Sequence, residues 1–240
     1  MTHVRRGVTV VVPTLYEVEN LPSLVDRLEG LRQRAGLDLE LLLMDDRSRD
    51  GSVEYVRGLG APWVRIIERA ADPGLSAAVV DGFRRAQGDY IVVMDADLSH
   101  PPEAIPQLLA KLDEGDELVI GSRFVRGGSV AESWGSGRRL LSLVARLLAR
   151  PLVGLRDPTA GFFAFHRSLL ARVEALDPIG FKIGLELIVK ARCRRVGEVP
   201  IHFADRAAGK SKLGAGEVLG YLRHLRRLYA YRLRVRSRSA

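Results

Sequence analysis

Two carboxylates directly follow an apolar segment near the middle of the chain, in the sequence YIVVMDADLSHPP at residues 90–102. Residues 90–94 are apolar and mostly β-branched, which is typical of a strand buried on both faces of a parallel sheet. Asp95 and Asp97 come next, at the strand's carboxyl end, where open α/β sheets bind ligands. Carboxylates on a short turn are suited to Mg²⁺ or Mn²⁺, and substrate phosphates then complete the coordination.

The same turn has a second interpretation. Pro101 and Pro102 stop the strand and can open a helix, so Asp97 or Ser99 could serve only to cap that helix. Because Asp-x-Asp is a common sequence, the motif alone does not separate a metal site from a helix cap. The neighbouring strands favour the metal site.

Polar turns also follow two earlier apolar segments. Residues 8–12 form a predicted strand that ends at Pro13, in the loop PTLYEVEN. Residues 39–44 form a second predicted strand, which leads into the acidic sequence DDRSRDG. Because parallel strands end at the same edge of a sheet, we expect all three turns to contribute to one site.

Strands and helices alternate along most of the chain. Their short connections predict an α/β fold, with a mostly parallel sheet and helices on both faces. A chain of 240 residues can bury one sizeable core, so we expect one domain, with or without an appendage. The further predicted strands are residues 64–67, 117–120, 162–165 and 198–203, and the later predicted helices are residues 74–88, 102–113, 138–153, 185–195 and 216–236.

The composition indicates a partner that carries negative charge. Lys and Arg number 37 against 29 Asp and Glu, a formal net charge of +8, which favours nucleic acid, an acidic membrane surface or phosphorylated substrates. The single cysteine, Cys193, excludes an intramolecular disulfide and indicates a reducing compartment. No apolar segment reaches the ~20 residues that span a bilayer, and residues 1–7 show no signal peptide. We therefore expect any membrane contact to be peripheral or through a partner.

Two basic amphipathic segments lie in the second half of the chain. Residues 138–153, RRLLSLVARLLARPLV, have the pattern of a helix at a membrane interface. A helix that packs on the sheet and leaves its arginines in water is equally compatible with this pattern. Residues 216–240 form a basic helix and tail with no acidic residue after Glu217. A nucleic-acid-binding protein is the competing class, but the tail has few aromatic residues and no recognised motif, so we expect no nucleic acid partner.

The chain carries five motifs whose order resembles that of the family 2 glycosyltransferases: PTLYEVEN, DDRSRDG, MDADLSHPP, GSR and RAAGKSKLG. Within that family it looks like the dolichol- or polyprenol-phosphate mannose synthases. The resemblance implies a GT-A type, Rossmann-like fold, with a glycosyltransferase domain at residues 1–215 and the basic helix and tail at residues 216–240. It also implies an inverting transfer of mannose from GDP-mannose to a polyprenyl (dolichyl-type) monophosphate.

The resemblance implies binding roles for residues at the strand ends. Pro13, Leu15 and Glu17 stand where the family contacts the nucleoside. Asp45 and Asp46 stand where a carboxylate accepts hydrogen bonds from the base, although a tight turn with side-chain capping is an alternative for this pair.

The turn at residues 95–99 corresponds to the family's metal and diphosphate positions. Asp95 and Asp97 match the residues that hold the ion, Mg²⁺ or Mn²⁺, and Asp97 is the expected catalytic carboxylate. Ser99 is expected to be a further, weaker ligand that acts through water.

The acceptor side needs cations. A phosphomonoester is already anionic at pH 7, because its second pKa is about 6, so it requires positioning and charge neutralisation but no base. The residues that match those holding this phosphate in the family are Arg123, Arg206 and Lys212. Lys182 is expected to bind the nucleotide sugar and also to contact the acceptor phosphate. The alternatives within this fold are another donor, UDP-glucose or UDP-GlcNAc, or a hydroxyl acceptor.

A lipid acceptor implies a location. We expect the enzyme to lie peripherally on the cytoplasmic face of a membrane, with its two amphipathic segments on an anionic leaflet. Many relatives continue into transmembrane helices after the basic tail, and this chain does not. Either direct binding to the membrane surface or a separate membrane subunit is therefore expected.

Overall fold

The computed structural model describes residues 7–177, 179, 182–206 and 215–238. The strands are β1 Gly7–Thr14, β2 Asp38–Asp45, β3 Val64–Glu68, β4 Tyr90–Val93, β5 Leu118–Ser122, β6 Ser129–Val130, β7 Phe163–His166, β8 Val196–Pro200 and β9 His202–Phe203. The helices are α1 Leu21–Ala35, α2 Ser52–Gly58, α3 Leu75–Arg85, α4 Ile105–Asp113, α5 Ser136–Val153, α6 Ile183–Lys190 and α7 Ala215–Arg238.

The larger strands form one central sheet in the order β3-β2-β1-β4-β7-β5-β8. Its neighbouring strands are parallel except at β7, which runs antiparallel to both β4 and β5. The predicted mostly parallel α/β sheet is therefore confirmed, and the reversal at β7 is a feature that the sequence does not reveal. As a result, the carboxyl ends of β1, β2, β4 and β5 share one edge of the sheet with the amino end of β7.

Helices cover both faces of the sheet, and each face has its own apolar core. One core contains Val10 of β1 and Leu24 of α1, together with residues of α4. The other contains Val11 of β1 and Phe83 of α3, together with residues of α6. Successive side chains of a strand point to opposite faces, so the apolar residues of β1 are buried on both sides, as predicted for a central strand.

β1 continues through Pro13 to Thr14, although Pro13 was expected to end it. The Met94 N–H donates to the Val11 carbonyl (3.3 Å), so the alternate residues Val11 and Pro13 face the side of β4. β4 itself ends at Val93, opposite Val11. Pro13 therefore lies past the end of its neighbour, where its missing N–H costs no ladder hydrogen bond.

The helices α5, α6 and α7 pack against one another and form a third apolar cluster. Ala149 and Leu152 of α5 are buried there, together with Tyr221 of α7. The fully buried Glu186 carboxylate of α6 lies 3.1 Å from the His224 Nε2 of α7. These contacts attach the basic C-terminal helix to the body of the protein.

Residues 138–153 are helical, as both alternatives predicted, and their location at a membrane interface stays a prediction. One side of the helix packs on α6 and α7, and the other side leaves leucines in water, with Leu140 62% and Leu147 54% exposed. Among the described residues, no helix combines the length and the apolar character needed to cross a bilayer.

Gly82 of α3 lies so close to β1 that a β-carbon there would stand 2.4 Å from Val11 Cγ1. We expect Gly82→Ala to lower the free energy of unfolding by ~1–3 kcal/mol, because α3 or Val11 must move. Gly137→Ala in α5, where a β-carbon meets no atom within 4 Å, is the control and should not destabilise the protein. Urea unfolding measures both variants, and a Gly82→Ala midpoint equal to that of the wild type would contradict this packing.

Candidate active site

A cavity of about 1100 Å³ lies at the carboxyl edge of the sheet, with α5 and α7 at its side. It collects most of the residues that the sequence predicts for the site. Asp45 and Ser99 lie outside its lining, and Lys212 lies outside the described residues. The predicted residues that line the cavity are Pro13, Leu15, Glu17, Asp46, Asp95, Asp97, Arg123, Lys182 and Arg206.

Asp97 is a buried carboxylate held from two sides. Its Oδ1 accepts hydrogen bonds from the Ser99 backbone N–H (3.1 Å) and the Ser99 hydroxyl (2.5 Å). Its Oδ2 lies 2.9 Å from Nε of Arg206. The turn that makes this possible has Leu98 in the left-handed region, at φ 61°. The Asp97 carboxylate is therefore fixed in orientation, with a cation at the oxygen that Ser99 does not bind.

The structure gives Ser99 a different place from the predicted one. Its side chain is fully buried, and its hydroxyl donates to Asp97 rather than lining the cavity. Ser99 therefore orients the Asp97 carboxylate, and its role as a further ligand through water stays a prediction. The alternative that Ser99 or Asp97 caps the next helix does not describe the turn either, since the helical turn after Pro101 has no side-chain cap.

His100 holds the backbone of Asp95, the other acid of the same turn. The backbone N–H of Asp95 donates to Nδ1 of His100 (3.1 Å). The imidazole is buried, stacks on Phe162 and meets the ring of Phe203 edge-on. Burial lowers the pKa of His100, which favours the neutral ring that can accept this hydrogen bond. The side chain of Asp95 is one-third exposed (33%), at the wall of the cavity.

Asp95 and Asp97 could hold a divalent cation together with oxygen atoms of a bound substrate. The described part of the chain has no group of three or more His, Cys, Asp or Glu side chains that could hold a metal ion. Mg²⁺ is commonly bound by one or two carboxylates, with substrate phosphates and water as the remaining ligands. These two hard oxygen donors therefore fit Mg²⁺ or Mn²⁺ when a phosphate-bearing ligand is present.

The two acids at the end of β2 have different surroundings. Asp45 is fully buried, and its carboxylate accepts hydrogen bonds from the Ser48 backbone N–H (2.9 Å) and the Ser48 hydroxyl. It holds the turn together, so the alternative of side-chain capping describes it better than the predicted contact with a base. Asp46 lines the cavity, where its carboxylate pairs with Arg69 and accepts from the Gly74 N–H (2.7 Å).

The loop after β1 is tied to the same turn. The N–H of Tyr16, a residue with φ 62°, donates to the Ser48 hydroxyl oxygen (3.0 Å). The Asn20 side chain donates to the Glu17 carboxylate (2.6 Å) instead of capping α1. Burial raises the pKa of Glu17, and the negative charge of Asp97 raises it further. The two loops together form one preformed wall of the cavity.

Arg123, which directly follows β5, lies at the cationic end of the cavity. Its guanidinium binds the Asp157 carboxylate through Nε (2.7 Å) and Nη2 (2.8 Å). Its Cζ lies 5.8 Å from the centre of the Trp134 ring and 5.4 Å from that of Phe203. The Cζ of Arg138 lies 4.0 Å from the centre of the same Trp134 ring. Two arginines are thus gathered around one tryptophan, and one of them has a buried carboxylate partner.

Lys182, directly before α6, completes the cationic end. Its Nζ donates to the carbonyl oxygen of Thr159 (2.6 Å). Burial lowers the pKa of Lys182 to about 8, the positive charge of Arg123 lowers it too, and the charges of Asp157 and Asp95 act in the opposite direction. Lys182 therefore carries its charge at neutral pH, within electrostatic reach of both ends of the cavity.

Sequence reasoning misses several residues of this site. In the sequence, Asp157 and Thr159 belong to a turn, Trp134 to a glycine-rich stretch and Arg138 to an amphipathic helix. The available signal is that Asp157 precedes an apolar strand by a few residues. That signal places Asp157 at the ligand edge only if the strand runs antiparallel to its neighbours, as β7 does.

Residues 9–174 match the family model described as Glycosyl transferase family 2. The chain belongs to this family. Three curated relatives of this family 2 glycosyltransferase are named dolichol-phosphate mannosyltransferase. The relative from Pyrococcus furiosus is 43% identical over 226 residues (92% of this chain, 63% of the relative). The relative from Saccharomyces cerevisiae is 40% identical over 234 residues (93% and 87%), and that from Mycosarcoma maydis is 42% identical over 233 residues (93% and 79%). The chain therefore spans less than two thirds of the Pyrococcus relative and more than three quarters of the two others.

Solved structures of glucosyl-3-phosphoglycerate synthase from Mycobacterium tuberculosis have a similar fold. The complex with Mn²⁺, UDP-glucose and phosphoglyceric acid has a TM-score of 0.70 and 23% identity, covering 95% of this chain and 79% of that chain. The complex with Mn²⁺, UDP and glucosyl-3-phosphoglycerate has a TM-score of 0.69 and 23% identity, covering 95% and 80%. These matches confirm the GT-A type fold that the sequence resemblance implies.

The pKa of Lys182 predicts a pH dependence for the binding of anions in the cavity. Lys182 is protonated below about pH 8 and neutral above it, so the affinity for GDP or UDP should decline as the pH rises through this value. Lys182→Arg keeps the charge at every pH in this range and should remove the decline. Calorimetric titrations across this pH range measure the effect, and parallel profiles for the two proteins would contradict it.

Proposed function

We propose that this family 2 glycosyltransferase transfers mannose from GDP-mannose to a polyprenyl monophosphate of the dolichyl type, with inversion at the anomeric carbon. The names of the curated relatives support this reaction. The observation that carries the proposal is a single cavity with carboxylates at one end, cations at the other and an apolar mouth. Such a cavity can bind a nucleoside diphosphate sugar and a lipid phosphate side by side.

The acidic end is assigned to the donor. Asp95 and Asp97 would hold Mg²⁺ or Mn²⁺, which when bound neutralises the departing diphosphate. Mn²⁺ accompanies the nucleotide in solved structures of the same fold, which supports this choice of ion. Ser99 keeps the Asp97 carboxylate in position, and Asp46 and Leu15 line the part of the cavity where the nucleoside would lie.

The cationic end is assigned to the acceptor phosphate. Arg123, Lys182 and Arg138 line the same cavity as the acidic turn, and Lys212 is the proposed addition from outside the described residues. A phosphomonoester carries its negative charge at neutral pH, because its second pKa is about 6. These residues therefore need to orient the attacking oxygen and screen its charge, and no general base is required.

The mouth of the cavity is apolar and is built by α5 and α7. Several of its side chains line the cavity and are also exposed to solvent, so the cavity wall continues into the outer surface. This surface is suited to the isoprenoid chain of a lipid whose phosphate is inside. The side chains concerned are Leu141, Val144, Leu148, Val218 and Leu222.

Exposed arginines on the same two helices favour an anionic leaflet. Each basic side chain near such a surface contributes about 1 kcal/mol of attraction. We therefore assign the enzyme a peripheral position on the cytoplasmic face of a membrane, held directly or by a separate membrane subunit. The exposed arginines are Arg139, Arg150, Arg223, Arg226, Arg227 and Arg234.

A transfer assay tests the proposal. The purified protein is incubated with Mg²⁺ or Mn²⁺, a polyprenyl phosphate in detergent and radiolabelled GDP-mannose, UDP-glucose or UDP-GlcNAc in parallel. We expect labelled lipid from GDP-mannose, and an activity about 100-fold lower for Asp97→Asn, because the charge that faces the diphosphate is lost. Asp38→Asn, an exposed acid at the opposite end of β2, is the control and should retain activity. Faster transfer from a UDP-sugar, or normal activity of Asp97→Asn, would contradict the assignment.

Arg206 has a second predictable effect, on the ion itself. Its Nε lies 2.9 Å from the Asp97 oxygen that would face a bound cation, and its side chain is 36% exposed. Because the guanidinium and the ion compete for this oxygen, we expect Arg206→Gln to increase the affinity for Mn²⁺ without nucleotide by about 3–10-fold, while transfer falls. Mn²⁺ titration followed by electron paramagnetic resonance measures the affinity.

The control for this titration is Arg126→Gln. It makes the same change of net charge at an exposed arginine that does not line the cavity, and it should leave the Mn²⁺ affinity unchanged. An Arg206→Gln variant with unchanged or weaker Mn²⁺ binding would show that the two cations do not share Asp97.

A further inference from the structure

The turn at residues 157–161 lies at the site because β7, which follows it, runs antiparallel to its neighbours. Because β7 runs antiparallel to β4 and β5, its first residue, Phe163, lies opposite Val93 and Ile120 near the ends of those strands. The residues that precede Phe163 therefore lie at the ligand edge of the sheet. Asp157 is fully buried there, and Thr159 lines the cavity.

The hydrogen-bond capacity of the Asp157 carboxylate is used within the protein. Oδ2 accepts from Nε of Arg123 (2.7 Å) and from its backbone N–H (3.1 Å). Oδ1 accepts from Nη2 of Arg123 (2.8 Å) and from the Thr159 hydroxyl (3.2 Å). Burial raises the pKa of Asp157, but the hydrogen bonds and charge of Arg123 outweigh burial and leave it below its usual value. Asp157 is thus an ionised partner of Arg123, with no lone pair left for a substrate.

The same contacts leave Arg123 with one defined orientation. Nε and Nη2 are occupied by Asp157, and Nη2 also lies 3.2 Å from the Thr159 hydroxyl. The rings of Phe124, Trp134 and Phe203 lie 5.2–5.8 Å from its Cζ. Among the described residues none binds Nη1, so this nitrogen remains for a ligand of the cavity.

The turn also positions the second cation and is itself held from behind. The Thr159 carbonyl accepts from Nζ of Lys182 (2.6 Å). On the other side, the Glu198 carboxylate of β8 accepts from the backbone N–H groups of Arg156 (2.9 Å) and Asp157 (3.1 Å). A carboxylate of the sheet thus fixes the turn, and the turn fixes the two cations.

We propose that Asp157 is a positioning residue for the transfer reaction, which aims Nη1 of Arg123 at the acceptor phosphate, and that Glu198 supports it through the 157–161 turn. This inference rests on the proposed role of Arg123 at that phosphate. The negative charge of Asp157 offsets the positive charge of Arg123. The pair therefore orients the acceptor phosphate more than it attracts it. If the Arg123 guanidinium loses its fixed orientation, bound substrate reacts more slowly, because small displacements of reacting groups lower the rate by up to about 100-fold.

Asp157→Asn is the main test, since the amide has the same shape and lacks the charge that orients the guanidinium. We expect kcat to fall about 10–100-fold, while the KM for the acceptor and the Kd for GDP change little, because Arg123 keeps its charge. Arg123→Gln should instead raise the KM for the acceptor as well as lower kcat. In the double variant Arg123→Gln/Asp157→Asn, the second change should have no further effect, since Asp157 acts through Arg123.

Glu198→Gln is the milder variant, and it decides the question if Asp157→Asn does not fold. We expect a smaller fall in kcat, about 3–10-fold, again with an unchanged KM for the acceptor. Glu117→Gln is the matched control, because the Glu117 carboxylate also accepts backbone N–H groups, those of Arg194 and Arg195, in contacts away from the cavity. It should cost stability without changing kcat, and thermal unfolding of every variant separates the two effects.

The outcomes distinguish this inference from the proposed function. If Arg123→Gln impairs acceptor use and Asp157→Asn does not, or if Asp157→Asn is equally harmful with and without Arg123, the positioning role is wrong and the transfer reaction stands. The same holds if Glu198→Gln and Glu117→Gln behave alike. If Arg123→Gln leaves acceptor kinetics unchanged, the proposed acceptor site is wrong as well.

Discussion

A charge that leaves water must be paired, and this constraint arranges both ends of the cavity. At the acidic end, the buried Asp97 carboxylate is bound by Ser99 on one oxygen and by Arg206 on the other. At the cationic end, the buried Asp157 carboxylate holds Arg123. Each pairing is made between segments that are distant in sequence or set on a rigid turn, so the site is organised before any ligand arrives.

The two pairings differ in what a substrate can do to them. The partner of Asp97, Arg206, has a side chain that is 36% exposed, so under the proposed function a divalent cation would compete with its guanidinium for the Asp97 carboxylate. Asp157 has no exposed surface and no unused lone pair, so its bond to Arg123 is expected to persist throughout the reaction. The Asp97 carboxylate can thus change its partner when a ligand binds, whereas the Asp157 carboxylate keeps Arg123 in one orientation.

The helices α5, α6 and α7 connect the cavity with the outer surface of the protein. Its buried contacts, such as Tyr221 and the Glu186–His224 pair, attach α7 to the sheet domain. Its outer side chains, such as Leu141 and Leu222, continue the wall of the cavity to the surface. Under the proposed function, an apolar chain attached to a phosphate inside the cavity would leave the protein along these side chains.

The sequence by itself determined the alternation of strands and helices and the acidic turns, because apolar runs that end in carboxylates are local features. Nine of the residues predicted for the site line the cavity, but most of its lining was not predicted. The sequence did not show that Asp45 and Ser99 form hydrogen bonds within their own turns, because those contacts depend on the turn geometry. It could not reveal Asp157, whose contact with Arg123 spans 34 positions and depends on the reversed direction of β7. The tertiary structure alone decided that pairing, since strand direction in the middle of a sheet is set by packing and not by the pattern of the strand.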